Sequence, residues 1–257
     1  MTDDLKLVGA NIFEGAVGHD WTHDRFEAVL DLLAEQDADA IAIQEALYWT
    51  DNDDELLKRA EKRLGMHGFI AREGSDLHPA ILVKPRLRIT RTEHLPTNVW
   101  RHGAVLVVVE TPGDRRLTLG SAHLSVGSPA QRFLEAEQLT SYFKPEEPTV
   151  LLLDSNNAEW DTELGHVPQM VASMLALPGT RTPDTRPIDR LIERGFVDLA
   201  ARTEHTRLPT TAGTRAVHVR ADRILADPET AVVAGDVELI DTRGVSDHLW
   251  TSTVLSL

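Results

Sequence analysis

The sequence has no cysteine. Disulfides and thiolate metal sites are therefore excluded, and any metal must be held by oxygen or imidazole ligands. Oxygen ligands suit magnesium, calcium or manganese. No apolar run approaches the ~20 residues that a membrane-spanning helix needs, so no span is expected. The N-terminus, Met1-Thr2-Asp3-Asp4, lacks the basic start and apolar centre of a secretion signal. A soluble, cytoplasmic monomer is the expectation. Basic residues are also scarce: 26 Lys and Arg stand against 41 Asp and Glu, a formal net charge of −15. That balance argues against an extended basic surface for long nucleic acid. It leaves room for a local basic cleft, and for acids gathered around cations. Low-complexity segments, blocks of like charge and short-period repeats are absent as well.

What is present is a chain of 257 residues with 42% hydrophobic content, enough for a sizeable core. Residues 5–11 read as a strand ending at Asn11. A helix is expected from a cap near Thr22-His23-Asp24, with Phe26, Val29, Leu30 and Leu33 at helical spacing. Residues 40–45 form a buried strand that closes on Gln44 and Glu45. A second helix is expected over 51–64, its N-terminus favoured by Asp51, Asp53 and Asp54. Residues 69–72 and 80–83 read as paired strands. Residues 104–110 and 116–124 pair through the turn Thr111-Pro112-Gly113-Asp114, and His123 stands at the end of the second. A third helix is expected from Pro129 to about Phe143. The strand 149–154 ends on Asp154 and breaks into Ser155-Asn156-Asn157. A strand over 217–225 carries Asp222, and 196–199 is a short apolar segment. Near the end, Ser246-Asp247-His248 enters a last strand that closes in Thr253-Val254-Leu255. Strands alternate with helices but hairpins also occur. Two such sets, one in each half, suggest two sheets packed face to face with helices outside, in one domain spanning residues 1–257.

Five strand ends thus carry Asn11, Glu45, His123, Asp154 with Asn156, and Asp247 with His248, and Asp222 lies within a sixth strand. Ligands of sheet proteins gather beyond strand ends. Hydrolysis of a phosphate ester needs a hard cation held by carboxylates, a base for the attacking water, and donors on the non-bridging oxygens. Glu45 can bind the metal, with Asn11 or Asp247 beside it. Asp154 can orient and deprotonate water. Asn11, Asn156 and His248 can donate to phosphate, and Asp222 can hold His248 charged and oriented.

The ordered set Asn11, Gln44-Glu45, His123-Leu124, Asp154-x-Asn156, Arg220-Ala221-Asp222-Arg223-Ile224-Leu225 and Ser246-Asp247-His248 resembles the endonuclease/exonuclease/phosphatase superfamily. That group includes deoxyribonuclease I, abasic-site endonucleases, neutral sphingomyelinases and inositol polyphosphate 5-phosphatases. The resemblance runs from Leu5 to Leu255. It implies a four-layer α/β/β/α sandwich of two mixed sheets, with the site at one edge of both. It implies Mg²⁺, with Mn²⁺ as a substitute, bound chiefly by Glu45 and aided by Asn11 and Asp247. It implies that Asp154 and Asn156 position the water and the phosphate. His248 paired with Asp222 would contact the phosphate, and His123 would line its site. Arg101 would be either a further phosphate contact or an ordinary surface arginine.

The pattern also departs from the family's. The usual Gly-Asp-Phe-Asn is here Leu153-Asp154-Ser155-Asn156, and the usual Arg-Ile-Asp-Tyr-Ile-Leu has Ala221 and Arg223 around its acid. Neither Tyr48 nor Tyr142 matches the active-site tyrosine of the abasic-site endonucleases, and no long basic insertion is present. The expected activity is hydrolysis of a phosphodiester or phosphomonoester, by a nuclease or by a phosphatase or phosphodiesterase of smaller substrates. The partner is a phosphoester, nucleic acid among the candidates. The alternative is an inactive binding or regulatory member of the same fold. Such a member is expected to lack Glu45, Asp154 or His248, and all three are present.

Overall fold

In the computed structural model, strands whose alternate residues serve two different cores set the layers of the molecule. The structure describes residues 4–17, 24–72, 75–95, 99–142, 147–202, 209–211 and 218–257. The first strands are β1 (Asp4–Asn11), β2 (Ala40–Gln44), β3 (His67–Ile70), β4 (Ala80–Val83), β5 (Arg88–His94) and β6 (Ala104–Glu110). Then come β7 (Arg116–His123), β8 (Thr149–Asp154), β9 (Val197–Asp198), β10 (Asp222–Ala226), β11 (Glu238–Ile240) and β12 (Trp250–Ser256). The helices are α1 (Asp24–Glu35), α2 (Glu55–Leu64), α3 (Pro129–Leu139), α4 (Gln169–Leu175), α5 (Arg186–Glu193) and α6 (Pro228–Val233). Among the described residues, no helix is long and apolar enough to cross a membrane.

The strands form two six-stranded mixed sheets, ordered β11-β12-β1-β2-β4-β3 and β5-β6-β7-β8-β10-β9. Each contains one parallel pair, β1 with β2 and β7 with β8, and their other pairings are antiparallel. Helix α1 connects the first parallel pair and α3 the second, as a parallel pairing requires. Leu5, Leu7, Ala40 and Ala42 pack with Val107, Leu119, Val150, Leu152 and Ile224 between the sheets. The opposite phase of the first sheet, Val8, Ala10, Ile41 and Ile43, packs on Phe26, Leu30 and Leu33 of α1 and Leu57 of α2. The opposite phase of the second, Leu106, Leu151, Leu153 and Leu225, packs on Ala136 and Leu139 of α3 and Leu191 of α5. Three apolar interfaces between four layers give the expected α/β/β/α sandwich.

Several local expectations change. The sheets do not divide the chain into halves: β12 returns to pair with β1, from Asp4↔Ser256 to Gly9↔Thr251. Strand β5, largely exposed, has too little apolar alternation to announce itself. Helix α2 starts at Glu55 rather than Asp51, because Asn52, Asp53 and Asp54 hold left-handed φ of 49°, 58° and 61°. Helix α3 ends at Leu139, and Phe143 lies outside the described residues. So do the expected cap residues Thr22 and His23, and Val217. Strand β10 starts at Asp222, which makes that acid a strand end rather than an interior residue.

Candidate active site

The alternation that builds the inter-sheet core also delivers the polar residues. Asn11 continues the phase of Leu5 and Leu7, His123 that of Leu117 and Leu119, and Asp154 that of Val150 and Leu152. Asp222 has the phase of Ile224 and Ala226. All four therefore point between the sheets, one step beyond the apolar core. Register aligns them: Asn11 pairs with Gln44 at the end of one parallel pair, and His123 with Asp154 at the end of the other. Asp222 opposes Asp154 on the antiparallel neighbour. Gln44, also in the inner phase, donates to Ser121 Oγ at 3.1 Å and Leu152 O at 3.2 Å, so it ties the sheets together just below the site.

The groups meet in a chain of contacts. Asn11 Nδ2 donates to Glu45 Oε1 at 3.0 Å and to Asp154 Oδ2 at 2.9 Å, and its Oδ1 accepts from Phe13 N. Asn11 thus presents its donor side to the two acids. Glu45 Oε2 accepts from Glu14 N at 2.9 Å. Asp154 Oδ1 accepts from Asn156 N at 2.8 Å. Asn156 Nδ2 donates to Leu124 O at 2.9 Å and lies 2.8 Å from His123 Nε2, which itself stands 3.6 Å from Asp154 Oδ2. His248 Nδ1 is 2.7 Å from Asp222 Oδ2, and its Nε2 faces Asp154 Oδ2 at 3.9 Å. One ligand atom from each of Glu45, Asp154 and His248 lies within 4.8 Å of the others. Asp247 stands at the rim, its Oδ1 3.9 Å from His248 Nε2 and outside that tight group. Two buried acids and an imidazole converging in this way suit a divalent cation.

Electrostatics separates the two aspartates. Burial alone would raise Asp154, but His123, His248, the Asn156 N–H and the Asn11 amide outweigh it and hold its carboxyl below the usual range. Burial raises Asp222, and the neighbouring Asp154 adds to the rise against the pull of His248. Asp154 is therefore the acid kept ionised. Divergent environments of this kind mark acid–base sites.

Other residues frame the site, Ser246 of the Ser246-Asp247-His248 run among them. Arg25 donates to the carbonyls of Ile12, Val17 and Val245, which joins the loop after β1 to the loop before β12. Ser246 Oγ donates to Asn11 O and accepts from His248 N, and Trp250 Nε1 also donates to Asn11 O. His102 stacks on His123 with centroids 4.5 Å apart, and burial with nearby His123 and Arg101 lowers its pKa to about 3. Buried Glu135 accepts from the backbone N–H groups of Ser125 and Arg101. Arg25 and Glu135 lie on helices and His102 in a loop, and no periodicity in the sequence marks these three as part of a site. The Arg101 side chain is exposed, and its backbone carbonyl accepts from Ser75 N at 2.6 Å.

The endonuclease/exonuclease/phosphatase family model matches residues 10–248. Comparison with curated proteins gives no match. Among solved structures, an endonuclease/exonuclease/phosphatase from Beutenbergia cavernae is 17% identical with a TM-score of 0.73, over 99% of this chain and 72% of that one. A humanized D. rerio TDP2 is 17% identical with a TM-score of 0.71, over 99% and 100% of the two chains. An AP endonuclease from Archaeoglobus fulgidus is 19% identical with a TM-score of 0.70, over 98% and 100%. At these identities the likeness is one of fold. The family match spans nearly the whole chain, and the chain belongs to the endonuclease/exonuclease/phosphatase family of phosphoester hydrolases.

Proposed function

We propose that this member of the family hydrolyses a phosphodiester or phosphomonoester by attack of water, with Mg²⁺ or Mn²⁺ held at Glu45, and that residues 1–257 form one catalytic domain. The observation that carries the reading is the convergence of Glu45, Asp154 and His248 within 4.8 Å at the ends of both sheets. When bound, the cation neutralises phosphoryl oxygens and makes water more acidic. Glu45 would hold it, with Asp154 and His248 in reach and Asp247 at the rim.

The chain's own groups carry the remaining roles. Asp154, kept ionised, accepts the proton of the attacking water as its oxygen bonds to phosphorus. The bond from phosphorus to the leaving oxygen breaks, and that oxygen keeps the bonding pair and takes a proton from solvent. His248 Nε2 faces the same space and contacts the phosphate, while Asp222 fixes its ring through Nδ1. Asn156 orients Asp154 through its backbone and His123 through its side chain, and Asn11 spaces Asp154 from Glu45. These groups meet the needs of hydrolysis, so no observation favours an inactive binding member.

The test sets plasmid DNA, RNA, nitrophenyl phosphate mono- and diesters, sphingomyelin and inositol phosphates side by side. Activity on at least one is expected to vanish in EDTA and return with Mg²⁺ or Mn²⁺. Glu45→Gln is expected to raise the cation concentration needed. Full activity in EDTA would overturn the proposal.

A further inference from the structure

Helix α1 opens with a residue that the helix itself does not call for. Arg25 is its second residue, where a positive charge opposes the helix dipole. The side chain serves the catalytic edge instead. Nη1 donates to Ile12 O at 3.0 Å and to Val245 O at 3.3 Å, and Nη2 donates to Val17 O at 3.2 Å. The guanidinium carbon lies 5.1 Å from the centre of the Phe13 ring. One partly buried cation thus gathers three carbonyls from two loops.

What those carbonyls flank decides the role. Ile12 and Val17 bracket the turn at 13–16, where Phe13, Glu14 and Ala16 hold left-handed φ. Strain of this kind persists only where the surroundings impose it. That turn gives Glu14 N to Glu45 Oε2 and Gly15 N to Glu45 O. Val245 directly precedes Ser246-Asp247-His248. Arg25 therefore spans the turn that aims Glu45 and the turn that delivers Asp247 and His248.

The charge of Arg25 acts in the opposite sense. Burial lowers its pKa, and Glu14, Asp247 and Glu45 pull against that, so all three acids lie within electrostatic reach. A fixed positive charge there repels a cation held by the same acids. The bonds of Arg25 favour the cation and its charge opposes it, so substitution separates the two. We infer that Arg25 is a positioning residue whose three-way clasp sets both turns in their cation-binding arrangement before a cation arrives. The inference rests on the cation reading of the proposed function.

Binding and hydrogen exchange, without turnover, test it. Mg²⁺ is titrated by calorimetry into the full chain freed of metal, and amide exchange is followed in EDTA and in saturating Mg²⁺. Arg25→Gln removes both charge and fork. The lost charge alone would tighten Mg²⁺, so weaker binding identifies the clasp, and a loss of roughly 10- to 100-fold is expected, as for other outer-shell partners. Arg25→Lys keeps the charge but has no planar fork, and it is expected to weaken Mg²⁺ as well. The amides of residues 12–17 are all hydrogen-bonded, as are those of Val245 and His248. They are expected to be protected in the parent in EDTA, and in either variant only once Mg²⁺ is added. Unchanged or tighter Mg²⁺ binding in Arg25→Gln, or full affinity in Arg25→Lys, would overturn the inference even with a lowered Tm, since a merely structural role costs stability and leaves the affinity of the folded chain alone. Free exchange of both turns in the parent in EDTA would overturn it too. A parent that binds no Mg²⁺ would overturn the cation reading instead, and exchange in EDTA would still judge the clasp.

Discussion

Replacing Asn11 by aspartate changes one amide to a carboxylate and tests what holds the acids apart. Asn11 Nδ2 sits 3.0 Å from Glu45 Oε1 and 2.9 Å from Asp154 Oδ2, all three residues buried. A negative oxygen there would meet two others, at about 5–6 kcal/mol each with an effective dielectric near 20. The new acid escapes by taking a proton, which at pH 7 costs about 4 kcal/mol, or about 1.4 kcal/mol per pH unit above a reference pKa near 3.9. The protonated acid keeps one of the two donors, so a charge-assisted hydrogen bond of about 1.5–3 kcal/mol is also lost. The expected loss in EDTA at pH 7 is about 5–7 kcal/mol, or roughly 10–25 °C in Tm for a domain of this size. The sign with pH follows from the raised folded pKa of the added group. Its penalty is full at high pH and fades as pH falls toward the unfolded value. Thermal scans of Asn11→Asp and the parent from about pH 5 to pH 8 should therefore diverge by up to about 1.4 kcal/mol per unit. Saturating Mg²⁺ should recover more of Tm in the variant than in the parent, because an added carboxylate binds the cation. A small, pH-independent loss would refute the placement of Asn11 between two ionised acids.

Asp154→Ala and His248→Ala should each lower kcat by about 10²–10⁴ with the fold intact, and Asp222→Asn by less while shifting the pH profile; near-normal turnover in His248→Ala would remove that residue from the mechanism. Asp198 is buried, and although burial alone would raise its pKa, Arg223 and Arg220 outweigh that and lower it. Its contribution should be complete above its ordinary value of 3.8 and be lost as pH falls below that value. Asp198→Ala at neutral pH should remove about 3–5 kcal/mol, read by denaturant unfolding, and a loss near zero would show the arginines are served elsewhere. Gly15 has φ +68°, and an added Cβ would lie 2.1 Å from Leu47 O, so Gly15→Ala should displace the Glu45 loop. A loss of about 1–3 kcal/mol with weaker Mg²⁺ binding is expected, and unchanged Mg²⁺ affinity would uncouple that loop from the site.

Much of the fold was legible because its strands are continuous apolar runs. Ala104–Glu110 and Thr149–Asp154 are buried on both faces, one to the inter-sheet core and one to a helix, and such strands cannot be mistaken for surface segments. β5, Arg-Ile-Thr-Arg-Thr-Glu-His, was not legible, since an exposed edge strand has no core to pattern it. At the site, polar residues that end apolar runs were visible as such. The strand alternation carried further information, as Asn11, His123 and Asp154 all share the inward phase of their strands. It could not have placed Glu45, which falls in the outward phase of β2, nor Arg25 and His102, whose roles depend on loop closure.

Glu45 reaches the cleft because its backbone leaves the alternation at φ 62°. The same device recurs around it. Phe13, Glu14 and Ala16 hold φ of 52°, 49° and 60°, and Asn156 holds 48°. Each non-glycine residue in this region carries strain of order 1–3 kcal/mol, so together they rival the net stability of a typical domain. What they achieve is specific. The left-handed turn at 13–16 aims Glu14 N at Glu45 Oε2 and Gly15 N at Glu45 O, and the turn at Asn156 aims its N–H back at Asp154 Oδ1. Buried acids that would repel each other are thus met by backbone donors that neither titrate nor move away. The turn is held in place by Trp49 Nε1 on Gly15 O, by Trp250 Nε1 on Asn11 O and by Arg25 on Ile12 O and Val17 O. Both tryptophans are fully buried in the core under α1 and α2. The apolar layer on the outer face of the first sheet therefore offsets the strain at its edge, and the geometry of the acids depends on packing that lies behind them rather than among them.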